Sequence, residues 1–154
     1  MPQRGCCATK GDGDCPPQGN EMRAYLAPWS PQLLSILRII TGFLLIAHGT
    51  QKWFSFPAPF PQPVELMSRL GVAGTLELVG GALMILGLFT RPVAFILSGL
   101  MAFAYFLAHA PNGFWPLVNR GELAVLYSFV FLYFAAAGGG AWSLDHLRRR
   151  RRDD

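Results

Sequence analysis

Residues 32–53 read QLLSILRIITGFLLIAHGTQKW. At about 1.5 Å per residue, such a helix crosses a hydrocarbon core of about 30 Å. Yet the stretch carries Arg38 and His48 and closes on Lys52. A charge within a bilayer costs about 2.5–3.5 kcal/mol on insertion scales, so it is kept where it faces other helices or a polar cavity. Helical geometry advances about 100° per residue, which gathers Arg38, Thr41, His48, Gly49 and Lys52 into one stripe roughly 100° wide. A stripe of that kind implies partner helices.

Three more apolar stretches supply them. The second expected span covers residues 64–89 and places Ala73, Gly74, Glu77, Gly80 and Gly81 on one face. Small residues let neighbouring backbones approach closely, so this face complements the cationic stripe. The third span is expected over residues 92–109, with Ser98, Ala102, Tyr105 and His109 in line. The fourth runs over residues 122–137, with Glu122, Phe129, Tyr133 and Gly140 in line. Residues 123–137 contain no charge. A soluble amphipathic helix needs a polar face, so a soluble bundle is excluded. The expected fold is all-α, a polytopic membrane four-helix bundle.

Composition agrees. The 154 residues are 52% hydrophobic and 14% charged, against about 25% charged in a soluble domain. Five of the 13 basic residues form the run Arg148 to Arg152. With no basic-aromatic pattern, this run reads as a topology signal and not as a nucleic-acid site. Residues 1–28 form an extension. Within it residues 1–21, rich in Gly, Pro and charge, are expected to be disordered. Met22 reads like a natural start, so residues 1–21 are expected to be an upstream extension or a mis-assigned start. Cys6, Cys7 and Cys15 all lie there, without zinc-like spacing. Residues 29–147 form the membrane domain and residues 148–154 a basic tail.

The loops fix an expected orientation. Arg4, Lys10, Arg23, Arg91 and Arg148 to Arg152 fall on one side, and Lys52, Arg69 and Arg120 on the other. The positive-inside rule then puts both termini in the cytoplasm of a bacterial inner membrane. Glu77 lies 14 residues from Arg91, or roughly 21 Å into the bilayer. His48, Lys52 and Glu77 are therefore expected to converge in the outer half. His109 and Glu122 would stand at the rim, with Asn112 and Asn119 in a lid. Arg38 is expected in a separate structural contact, and Arg91 as a topology determinant. No ligand spacing supports a metal.

At these residues the chain resembles the DoxX family of small four-helix membrane proteins, over about residues 29–147. The resemblance rests on HGTQK closing span 1, on ELVGGALMILGLFTRPVA, on Asn119-Arg120-Gly121-Glu122 opening span 4, and on WSLD after Gly138-Gly139-Gly140. The family is named for a subunit of a quinol oxidase and thiosulfate:quinone oxidoreductase system. The resemblance implies an accessory membrane subunit of a quinone-linked redox system, with a redox enzyme as partner. The chain has no haem or flavin motif, so quinone is the cofactor it implies and electron carriers must come from the partner. A homo-oligomer is the other partnership considered. A small transporter for a polar solute, or an assembly protein, are the alternative readings.

Overall fold

The computed structural model describes residues 25–61 and 63–153. The cysteines and residues 1–21 lie outside the described residues. The chain divides into residues 1–30 and residues 31–154. All that follows concerns the second unit, apart from the first residue of its opening helix.

Four apolar helices build it. They are α1 (Ser30–Phe54), α2 (Arg69–Leu86), α3 (Thr90–Ala104) and α4 (Glu122–Ala137); a basic helix, α5 (Leu144–Asp153), follows. Among the described residues three helical stretches are long and apolar enough to cross a membrane: Ala27–Phe54, Arg69–Leu86 and Thr90–Asn112. The fourth, α4, has 16 residues, or about 24 Å.

Helix α2 starts five residues later than the hydropathy suggests. Ser68 adopts extended backbone and its hydroxyl accepts from the Gly71 N–H at 3.1 Å. This N-cap satisfies an amide that the first turn otherwise leaves orphaned. At the other end Gly87 takes φ 67°, while its N–H bonds Met84 O and the Leu88 N–H bonds Leu83 O. That pair of bonds is a Schellman stop, which needs the left-handed conformation glycine adopts freely. A Cβ on Gly87 would also stand 2.5 Å from Ser143 Cβ.

Helices α1 and α2 run antiparallel with their backbones close together. A Cβ on Gly42 would lie 2.9 Å from Gly81 O, and one on Gly49 would lie 3.0 Å from Gly74 O. The two contacts sit seven residues apart on each helix, the small-residue packing that membrane helices use. Helices α3 and α4 pack together along their length, tied mid-span by Ser98 Oγ donating to Ser128 O at 2.8 Å. The apolar core is Leu45, Met84, Ala94, Leu97, Met101, Tyr127, Phe131 and Phe134.

One expected face is corrected. Tyr127, Phe131 and Phe134 are the buried residues of α4, whereas Glu122, Phe129 and Tyr133 are exposed. A helix that is apolar all round gives no periodic signal, so its sequence does not say which side faces the core. Helix α3 likewise extends past Ala104 through one π turn, Tyr105–His109, into a 3-10 turn, Ala110–Asn112.

Candidate functional site

Two charged centres occupy the bundle. The first is at the Arg38 end. Arg38 is fully buried. Its Nε donates to Gly139 O at 2.9 Å, its Nη2 to Trp142 O at 2.9 Å, and its Nη1 to Ile85 O at 2.7 Å and to Met84 O. Four of its N–H groups thus meet four carbonyls. Met84 and Ile85 belong to the last turn of α2, where carbonyls lack helical partners and carry the negative end of the dipole. The guanidinium caps that helix and holds the glycine loop after α4 against it. Ser35 Oγ accepts from the Trp142 N–H at 3.0 Å and fastens the same loop.

Asp145 completes this end. Its two oxygens accept from the N–H groups of Phe89 at 2.9 Å and Thr90 at 2.7 Å. It therefore caps α3 from a distant part of the chain. Partial burial pushes the Asp145 carboxyl up, but the Thr90 and Phe89 bonds, with the nearby Arg148 charge, hold it below its ordinary value.

The second centre is Lys52 with Glu77. Lys52 Nζ donates to Glu77 Oε1 at 2.6 Å and also to Oε2. The Lys52 side chain is 15% exposed and that of Glu77 6%. The glycine contacts of α1 and α2 allow this approach. Gly74 also admits the Trp53 indole, whose Nε1 would lie 3.0 Å from a Cβ at that position. The arrangement offers an ammonium donor and a carboxylate acceptor side by side, with the Trp53 indole packed on α2 at Gly74.

The other expected members do not join the pair. His48 is exposed, a correction to the expected convergence. The buried residues of α1 are Ser35, Arg38, Thr41, Gly42, Leu45 and Gly49; His48 lies roughly 80° from the middle of that set. Glu122 is exposed at the start of α4, and Arg91 is exposed at the start of α3.

His109 and Asn119 fall in a separate network. The buried Asn119 donates to Gly113 O at 2.7 Å and to Tyr105 Oη at 3.4 Å, and accepts from the Gly121 N–H at 2.8 Å. Tyr105 Oη donates to Phe114 O at 2.8 Å. His109 Nδ1 stands 3.1 Å from Asn119 O. A carbonyl only accepts, so Nδ1 carries the hydrogen and, in the neutral ring, Nε2 is left as an acceptor. The exposed Asn112 donates to Ala108 O at 3.1 Å and closes its own turn. Among the described residues no hydrogen bond or ion pair joins this network to Lys52 and Glu77. Sequence reasoning missed Asp145 and the Tyr105 hydroxyl as binding groups. The WSLD motif and the tyrosine four residues before His109 were the available signals.

Known proteins resemble the chain along most of its length. The DoxX family model matches residues 33–110. An uncharacterized protein of Haemophilus influenzae is 47% identical over 126 residues, 79% of this chain and 94% of the relative. An uncharacterized membrane protein of Mycobacterium tuberculosis is 29% identical over 143 residues, 79% of this chain and 84% of the relative. No solved structure matches it. With its apolar helices and a match over half its length, the chain is a membrane protein that belongs to the DoxX family.

Proposed function

We propose that this protein is the membrane component of a quinone-linked redox system in a bacterial inner membrane, with both termini cytoplasmic. In this proposal the Lys52–Glu77 pair receives a quinone head group. The observation that carries the reading is the ion pair between two membrane helices, with Glu77 buried and Lys52 partly so. An intramembrane acid and base are costly and mark functional sites by default. Their chemistry also fits the group. A quinone offers carbonyl oxygens that an ammonium can bond, and a quinol offers hydroxyl protons that a carboxylate can accept.

In this reading Lys52 orients the head group, and of the two protons released with two electrons on quinol oxidation Glu77 takes one while the other leaves to solvent. His109 or Glu122 would then pass protons to the outer side, reached from Glu77 through solvent, since no hydrogen bond joins them among the described residues. The electrons leave to a redox enzyme partner, since the chain has no haem or flavin motif. One observation favours a second reading, in which the pair only neutralises itself: both Glu77 oxygens already accept from Lys52.

The two readings separate in a binding experiment. Trp53 serves as reporter in protein whose Trp29, Trp115 and Trp142 are replaced by Phe. A short-tailed ubiquinone titrated into nanodiscs is expected to quench it. Glu77→Gln and the charge-free pair Lys52→Met/Glu77→Leu are expected to weaken binding by at least about tenfold. Unchanged binding in both variants, or none in the parent, overturns the proposal in favour of a self-neutralising pair.

A further inference from the structure

The arginine run is helical and fixed in place. Helix α5 begins at Leu144, and its first turn is fastened to the turn between α2 and α3. Asp145 N donates to Gly87 O at 3.0 Å, while its carboxylate takes the Phe89 and Thr90 amides. The Arg148 guanidinium carbon sits 5.8 Å from the centre of the Phe89 ring. The run therefore projects from the end of the bundle along a set line. Arg149 to Arg152 lie four to seven residues beyond Asp145, within roughly 6–11 Å of that anchor.

Two properties of this surface define what it fits. It is strongly basic: Arg148 to Arg152 are all exposed, and the exposed Arg91 stands at the same end. It is also apolar where it meets the bundle, because Phe89, Trp142, Leu144 and Leu147 are all exposed. Leu144, Leu147, Arg148 and Arg151 share one side of the helix by their spacing. Basic residues beside exposed aromatic and aliphatic side chains are the pattern of a helix lying at a membrane interface. Compensating the α5 dipole needs only a cation or two in the last turn, so five arginines exceed that role.

We propose that α5, with Phe89, Trp142 and Arg91, is a binding surface for anionic lipid headgroups of the leaflet at the Arg38 end of the bundle. Asp145 is its positioning residue. Its bonds to the α3 amides hold the helix beside the bilayer instead of letting it trail into water. Guanidinium forks match phosphate geometry, and the run stays within about one Debye length of the surface. A nucleic acid or an acidic protein is the less favoured partner, because neither accounts for exposed Trp142, Leu144 and Leu147 beside the charge.

The test uses the full chain reconstituted in phosphatidylcholine vesicles with trace spin-labelled phosphatidylglycerol or phosphatidylcholine. Electron spin resonance then reads the motionally restricted fraction of each lipid. The parent protein is expected to prefer phosphatidylglycerol by a factor of about 3–5 at low salt, and this preference should fade in roughly 0.5 M salt, where screening is strong. Replacing Arg149 to Arg152 by Gln should abolish it, and replacing them by Lys should preserve most of it. Asp145→Asn should reduce the preference with every arginine present, a change that charge alone does not predict. Equal preference in the Gln variant and the parent, or no preference in the parent, overturns the proposal. So does a run that retains an acidic protein or DNA while the lipid preference stays unchanged.

Discussion

The two charged centres meet the same physical problem by opposite means. At one end Arg38 makes no ion pair among the described residues and is satisfied by backbone carbonyls from the end of α2 and the loop after α4. At the other, Lys52 is satisfied by a single carboxylate. Carbonyls cannot be titrated and cannot leave without unfolding the loop that supplies them. A carboxylate can exchange a proton, and an ammonium can exchange its acceptor. The difference separates a charge satisfied by the fold's own backbone from a pair whose groups can exchange partners.

The largest break in this comparison should come from Arg38→Met. Four carbonyls would lose their donor together, and the cost should be about 3–5 kcal/mol in reversible unfolding from mixed micelles, as when one member of a buried charged contact is removed. Arg38→Lys should recover only part of it, because an ammonium cannot reproduce the planar fork. Equal stability of Arg38→Met and the parent would remove the structural role assigned to this end.

Next comes Gly87→Ala, expected to cost about 2–4 kcal/mol in the same measurement. Left-handed strain accounts for about 1–2 kcal/mol of that and crowding against Ser143 for the rest.

The Lys52–Glu77 pair should respond differently. Each single neutralisation, Lys52→Met or Glu77→Leu, is expected to cost about 2–4 kcal/mol, while the double variant recovers most of the loss. Non-additivity of that size is the signature of a pair. Two additive losses would mean that the groups act separately.

The smallest effect belongs to Asp145→Asn, about 1 kcal/mol as for other lost caps. It carries a pH signature. The folded carboxyl lies below its ordinary value, so its contribution is fully present above the unfolded value near about 4 and fades as pH falls through the lower folded value. The parent should therefore lose stability on acidification through that window, and Asp145→Asn should lose less.

Much of the second centre was legible. Glycines 74, 80 and 81 with Glu77 marked the face of α2 that the structure buries, because small residues and an acid share one side of an otherwise apolar helix. The family-like WSLD tail was visible, but not that its aspartate caps α3, since no local pattern encodes a cap supplied from 55 residues away. His48 shares the polar stripe of α1 in sequence yet is exposed, because polarity alone does not say which part of a wide stripe packs. The closest approach is set by Gly42 and Gly49, which turn the buried face away from His48. On α4 there was nothing to read, as every face is apolar.

The length of α4 has a consequence for the surrounding lipid. Sixteen residues give a rod about 24 Å long, some 6 Å less than a typical hydrocarbon core. A span this short is matched by local thinning of the bilayer or by snorkelling of its flanking residues, while the longer α1 and the continuous Thr90–Asn112 stretch reach the full depth. Either response costs fractions of a kcal/mol per Å of mismatch. Bilayers with shorter acyl chains would release that tension and should be where the folded protein is most at ease.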